Sequence, residues 1–178
     1  MLSIFFIGIA LSMDAFSVAI NLGMQKLSKF KLFLIPSLIA VFHFFMPLMG
    51  VKCGDLLVNL LDFNPKIIMV IVFLYLIITF ILERKNEKKV IITNVISILL
   101  LALSVSIDSF TVGLGLLSIT EKYLASSLMF SICAGFITYI GLLLGKYSVK
   151  FLKDKAYILG ITLLGIMTIV NICQIIFN

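Results

Sequence analysis

The chain is built from apolar runs long enough to cross a bilayer, and its first residues, MLSIFFIGIALSMDAFSVAINLG, are one of them. A hydrocarbon core is about 30 Å thick and a helix rises about 1.5 Å per residue, so one crossing takes roughly 20 residues. Backbone N–H and C=O groups find no water in that layer, which leaves the helix as the form such runs take. Six fit along the 178 residues, approximately 2–24, 33–54, 66–83, 91–118, 124–145 and 156–177, with short charged clusters between them. Composition agrees, at 62% hydrophobic and 12% charged residues, against roughly half apolar and a quarter charged in a soluble domain. The predicted fold class is all-α integral membrane with six transmembrane helices.

The first run has no basic residue ahead of it, no small-residue cleavage pattern, and an aspartate where a signal peptide would be unbroken, so it reads as a retained helix. Cys53, Cys133 and Cys173 are scattered without metal-binding or disulfide spacing and read as small buried filler. Lysine and arginine set the expected orientation. Three connections hold eleven of the fourteen: Lys26, Lys29 and Lys31; Arg84, Lys85, Lys88 and Lys89; Lys146, Lys150, Lys153 and Lys155. The opposite side has Lys52, Lys66 and Lys122. The positive-inside rule then places both termini on the outer side of the membrane and the three basic connections in the cytoplasm. The net charge of +6 reads as topology and contact with anionic lipid, with no nucleic-acid partner.

Two halves emerge on shifting the chain by 94 residues, which lays ALSMDAFSVAINL (10–22) over SVSIDSFTVGLGL (104–116). Ser12, Asp14, Phe16 and Val18 fall on Ser106, Asp108, Phe110 and Val112. Gly50 and Gly54 likewise match Gly141 and Gly145, each pair a G-x-x-x-G that lets helices pack closely. The expected organisation is a three-helix repeat over 1–82, a cytoplasmic linker over 83–90 and a second repeat over 91–178. Because each half has an odd number of crossings, the repeats are predicted to be inverted, an arrangement in which secondary transporters place their site near the midplane.

A carboxylate at the centre of a spanning helix costs on the order of 3 kcal/mol, and such residues usually line ion paths or paired sites. Asp14 and Asp108 are two of them, related by the repeat. Ser17 and Asn21 share a helix face with Asp14, as Ser104 and Thr111 do with Asp108 in a stripe that also takes in Asn94 and Ser97. Two carboxylates with hydroxyl, amide and carbonyl oxygens suit Mg²⁺, Ca²⁺ or Mn²⁺ and lack the soft ligands that Cu(I) prefers. The competing reading is that these groups only fix helix packing. His43, the one histidine, lies four residues before Pro47; it is either a packing and hydrogen-bonding residue or a proton or metal contact. Pro47 is expected to bend its helix. No phosphate-binding loop, nucleophile elbow or His-containing triad is present, so no enzyme is predicted.

The segments ALSMDAFSVAINLG, FHFFMPLMGVKCG and LSVSIDSFTVGLGL resemble those of the MntP family of manganese efflux pumps, across nearly the whole chain. The YtaF group of sporulation membrane proteins is the nearest competing resemblance, and F-H-x-x-M-P-x-x-G is more like MntP. The resemblance implies export of Mn²⁺ as substrate, within the wider LysE-like superfamily, with the aspartates at Asp14 and Asp108 required. It implies no permanently bound cofactor, and it leaves self-association into a homo-oligomer open. One departure is visible: the family commonly has Gln where His43 stands here. The alternatives carried forward are a sporulation-associated protein without metal transport and a LysE-like exporter of another small substrate. An amino-acid substrate would need a partner for its carboxylate, and the apolar core offers no Arg or Lys.

Overall fold

The structure is a computed structural model describing residues 2–25, 27–61, 65–83 and 94–147, together with single positions between 158 and 173. Helix α1 spans Leu2–Gly23, α2 Lys29–Leu61, α3 Pro65–Glu83, α4 Val95–Val105, α5 Ile107–Gly115 and α6 Tyr123–Lys146, and a 3-10 turn at Leu116–Ser118 closes α5. No strand occurs among the described residues. Leu2–Gly23, Lys29–Leu60, Val95–Ser118 and Tyr123–Lys146 are each long and apolar enough to cross a bilayer, and α3 holds a shorter apolar stretch, Lys66–Thr79. The helices expected at 2–24, 66–83 and 124–145 are found with ends moved by at most one residue. Every described position between 158 and 173 is helical, within the run expected at 156–177. The ends of that run lie outside the described residues, as does the expected 83–90 linker beyond Glu83.

Three expectations need correction. Helix α2 begins ahead of residue 33 and continues past 54, reaching 33 residues. Hydropathy marks where side chains leave hydrocarbon, whereas the backbone helix continues through Lys29 and Lys31, whose long stems let their charges reach water. It also passes unbroken through Pro36 and Pro47, so the bend expected at Pro47 does not interrupt it. The interruption falls instead in the run expected at 91–118, which is two helices separated at Ser106. That run starts at Val95 because Asn94 caps it: Asn94 Oδ1 accepts from Ser97 N at 3.0 Å, and Ser97 Oγ accepts from Asn94 N at 3.1 Å. Asn94 and Ser97, read from sequence as part of a polar stripe, thus form a reciprocal helix cap. Of the cysteines, Cys133 is buried as expected, whereas Cys53 and Cys173 are exposed.

Lipid tails are as apolar as leucine, so these helices gain their association from close packing. One buried cluster joins Ile4, Ile7 and Leu11 of α1 to Met69, Phe73 and Leu76 of α3 and Val112 of α5. A second joins Ala15, Ala19 and Leu22 of α1 to Ile35 and Ile39 of α2 and to Ile98, Leu101, Ala102 and Val105 of α4. Helix α1 therefore runs through the middle, while Phe45, Met49, Ile71, Leu100 and Phe136 point outward as a lipid-facing surface would require.

The glycines fix how closely the helices approach. A Cβ at Gly50 would strike the Phe110 carbonyl oxygen and Gly113, and one at Gly54 would strike the Leu114 carbonyl oxygen. Between α6 and α1 a Cβ at Gly141 would press on Phe16 and Ala19, and one at Gly145 would strike the Ile20 carbonyl oxygen. These are the same contacts under the sequence match that pairs Phe16 with Phe110 and Gly141 with Gly50. Residue numbers rise together along both pairs: Gly50 and Gly54 against Phe110 and Leu114, and Gly8 and Gly23 against Phe130 and Leu142. Helix α2 consequently runs parallel to α5, and α1 parallel to α6.

Candidate functional site

The break at Ser106 is built from its own side chain and from His43. Ser106 has φ −102° and ψ 1°, and its N–H turns to Leu103 O, three residues back. The carbonyl of Ala102, which a continuous helix would pair with that N–H, instead accepts from Ser106 Oγ at 2.7 Å. Ser106 O accepts both from Ser109 Oγ at 2.7 Å and from Phe110 N at 3.3 Å. Across the helix interface, His43 Nδ1 lies 2.9 Å from Ser106 Oγ and 3.0 Å from Ile39 O. His43, Ser106 and Ser109 are fully buried.

These contacts assign the imidazole tautomer. Ile39 O can only accept, so the proton is on Nδ1; Ser106 gives its single proton to Ala102 O and accepts from the ring. Nε2 is left as a bare lone pair, buried and without a hydrogen-bond partner among the described residues.

Asp108 is in the first turn of α5, immediately past the break, and its Oδ1 accepts from Ser109 N at 2.8 Å. The N-terminal turn of a helix offers N–H donors and the positive end of the helix dipole, both favourable to a carboxylate. Asp14 has no such turn beside it, since α1 is continuous around it. Both aspartates are half-buried. Among the described residues, no three His, Cys, Asp or Glu side chains gather into a metal-ligand set. An ion held by these aspartates would complete its shell with hydroxyl, amide, carbonyl or water oxygens, as hard cations do.

The remaining expected residues are placed unequally. Ser17 is fully buried in α1, and Asn21 is half-buried near its end. Thr111 returns its hydroxyl to Ile107 O at 3.1 Å and lines an apolar cavity of about 420 Å³ with Leu57, Ile71 and Tyr75. Ser104 is exposed on α4. Gly50 and Gly54 abut α5, and Gly141 and Gly145 abut α1. His43 is joined by a side-chain hydrogen bond to another helix, and its partner, Ser106, stands out in the sequence only through the repeat.

A further group escapes the sequence reading. Helical Ser and Thr here commonly return their proton to the carbonyl four residues back, as Ser12 does to Gly8 at 2.6 Å and Thr168 to Leu164 at 2.8 Å. Ser17, Ser127 and Thr138 are fully buried with hydroxyls that have no hydrogen-bond partner among the described residues. Sequence alone gives no signal of this difference, because back-bonding depends on the χ1 rotamer that packing selects.

Comparison with known proteins adds a family. Residues 26–172 match the family Mntp, described as "Putative manganese efflux pump". Among curated proteins, the "Putative manganese efflux pump MntP" of Geobacillus thermodenitrificans is 31% identical over 164 residues, covering 90% of this chain and 88% of that protein. The protein of the same name from Desulforamulus reducens is 32% identical over 170 residues, covering 92% and 94%, and that from Bacillus pumilus is 37% identical over 150 residues, covering 82% and 80%. No solved structure matches the chain.

Proposed function

The chain belongs to the Mntp family, and from that premise we propose that it is a secondary transporter exporting Mn²⁺ across the bacterial plasma membrane. Its two halves are inverted three-helix repeats, and Asp14 and Asp108 hold the ion between them near the midplane. Ser17 and Asn21 on α1 and the carbonyl or hydroxyl oxygens around the Ser106 break supply further oxygen ligands, directly or through water; Thr111 and Ser104 act from the periphery.

The observation that carries this reading is a carboxylate at the start of a half-helix inside a spanning segment, Asp108 at the head of α5. Discontinuous helices at midplane depth recur where transporters bind ions, because their ends expose backbone dipoles that a continuous helix consumes. The parallel directions of the paired helices support the repeat. With α3 counted as a crossing, α1 and α6 are crossings one and five, and α2 and α4–α5 are crossings two and four, so each pair runs the same way. Without α3, both pairs would be antiparallel. Rocking of one half against the other along the glycine contacts supplies alternating access. The basic connections at 26–31 and 146–155 then face the cytoplasm, with both termini outside.

The test is export in cells lacking their own manganese exporter. Wild type should lower cell-associated Mn²⁺ and restore growth under Mn²⁺ challenge, while Asp14→Asn and Asp108→Asn, present in the membrane at wild-type levels, should do neither. No tolerance from wild type, or full export by both variants, overturns the reading.

A further inference from the structure

His43 sits in α2, is fully buried, and makes a side-chain bond to another helix at the place where the fourth spanning segment breaks. We propose that His43 is the positioning residue of the transport site: a neutral Nδ1–H donor that holds Ser106 and thereby sets the α4–α5 interruption from which Asp108 begins. This deepens the manganese-export reading and rests on it.

The observations converge on Nδ1. Its one hydrogen is shared between Ile39 O, a carbonyl four residues back on the same helix, and Ser106 Oγ across the interface, so the ring is held from both sides. The receiving oxygen, Ser106 Oγ, has already given its proton to Ala102 O, and can therefore only accept from the ring. That same hydroxyl replaces the main-chain bond missing at the break. Without the Nδ1 donor, Ser106 Oγ would keep only its return bond to Ala102 O, the state in which Ser12 sits in a continuous helix, and the energetic preference for a break would go with the ring contact. Two residues further on is Asp108, whose position follows the start of α5.

The matching position in the other half makes the same point. The register that pairs Gly50 with Gly141 pairs His43 with Ala134, and the serine matching Ser106 is Ser12. Ser12 makes the same return bond, to Gly8 O, yet α1 continues through it. A serine alone does not break the segment; a serine faced by a ring donor does. Nothing in this role needs the ring to be charged or Nε2 to bind an ion, and an amide N–H reaching Ser106 would replace it.

The test uses the full chain in proteoliposomes, with Mn²⁺ flux read by an entrapped metal-sensitive dye. His43→Phe keeps an aromatic ring and loses the donor; His43→Gln keeps a neutral donor. The Phe variant should raise the apparent KM for Mn²⁺ about tenfold, since a misplaced ligand group weakens ion capture, and Gln should stay within about threefold of wild type. Ser106→Ala should match Phe, and the two together should be no worse than either, as for residues acting through one contact. The flux ratio of wild type to His43→Gln should be constant between about pH 5.5 and 8, the interval in which an imidazole exchanging protons would betray itself. Equal flux in the Phe variant, additive losses in the double variant, or a pH-dependent ratio each overturns the proposal.

A second readout does not depend on transport. The chain contains one histidine, so ¹⁵N-histidine labelling gives one ring. Its spectrum should show Nδ1 protonated and Nε2 not, with the Nδ1 signal moved by Ser106→Ala. A proton on Nε2, or an Nε2 signal displaced by added Zn²⁺, overturns the positioning role even where Mn²⁺ export holds. The expected spectrum from a protein that exports no Mn²⁺ would sink the export reading and leave the His43–Ser106 contact standing.

Discussion

Ser12 in α1 and Ser106 between α4 and α5 are the same residue in two settings. Each returns its hydroxyl proton to the carbonyl four residues back, at 2.6 and 2.7 Å. Around Ser12 the helix is continuous, and the position that matches His43 is Ala134; around Ser106 it is broken and the neighbour is His43. The glycine contacts, by contrast, match between the two helix pairs, down to the carbonyls of Phe16 and Phe110 that Gly141 and Gly50 approach. The close packing is thus alike at the two pairs, while the two serines differ in whether their helix continues.

The widest test of that contrast is functional. If both carboxylates hold the ion, Asp14→Asn and Asp108→Asn each lower Mn²⁺ export by about 100-fold, the scale on which loss of a metal-site group acts; flux in proteoliposomes measures it, and a large loss from only one would make the halves unequal in chemistry as well as in shape. Next in size are the glycines. At Gly50 a new methyl runs straight into the Phe110 carbonyl oxygen, whereas at Gly141 the nearest atom, the Ala19 Cβ, is 2.8 Å away and the clash is milder. Gly50→Ala should cost about 3 kcal/mol and Gly141→Ala about 1 kcal/mol, read from unfolding in detergent. Equal losses would mean that both pairs pack with the same tolerance.

Smaller effects separate the serines. Ser106→Ala removes the acceptor of the Nδ1–H and the donor to Ala102 O, and should cost about 1–2 kcal/mol. Ser12→Ala removes a bond that duplicates the main-chain one, and should stay within about 0.5 kcal/mol of wild type. Unfolding midpoints of the two variants decide, and a reversed order would count against the break as described. A methyl added at Gly165 would meet nothing within 4 Å among the described residues, so Gly165→Ala should leave the midpoint unchanged or raise stability by less than about 1 kcal/mol.

The apolar runs show in the sequence because hydrocarbon leaves helices few alternatives, and three described helices keep their expected ends to within a residue. Asp14 and Asp108 are conspicuous for the same reason, being charges in the wrong solvent. The break is hidden because LLLALSVSIDSFTVGLG keeps the hydropathy of a continuous span, and what interrupts it is a ring 63 positions away. The cap at Asn94 is readable, since an Asn followed three residues later by a Ser is a familiar start, but the same two residues also fit a polar stripe. Ser104 shows the limit of counting along a helix face: beyond a break, residues before and after no longer share a face, and Ser104 is exposed.

The 33 residues of α2 have a consequence for the lipid itself. Such a helix is about 50 Å long, in a hydrocarbon layer of about 30 Å, and so must lean or stand proud of it. Acyl-chain length becomes a variable acting on the protein: thinner bilayers favour more lean and thicker ones less. Because Gly50 and Gly54 tie α2 to α5, a change in its inclination is passed to the half-helix that begins beside Asp108.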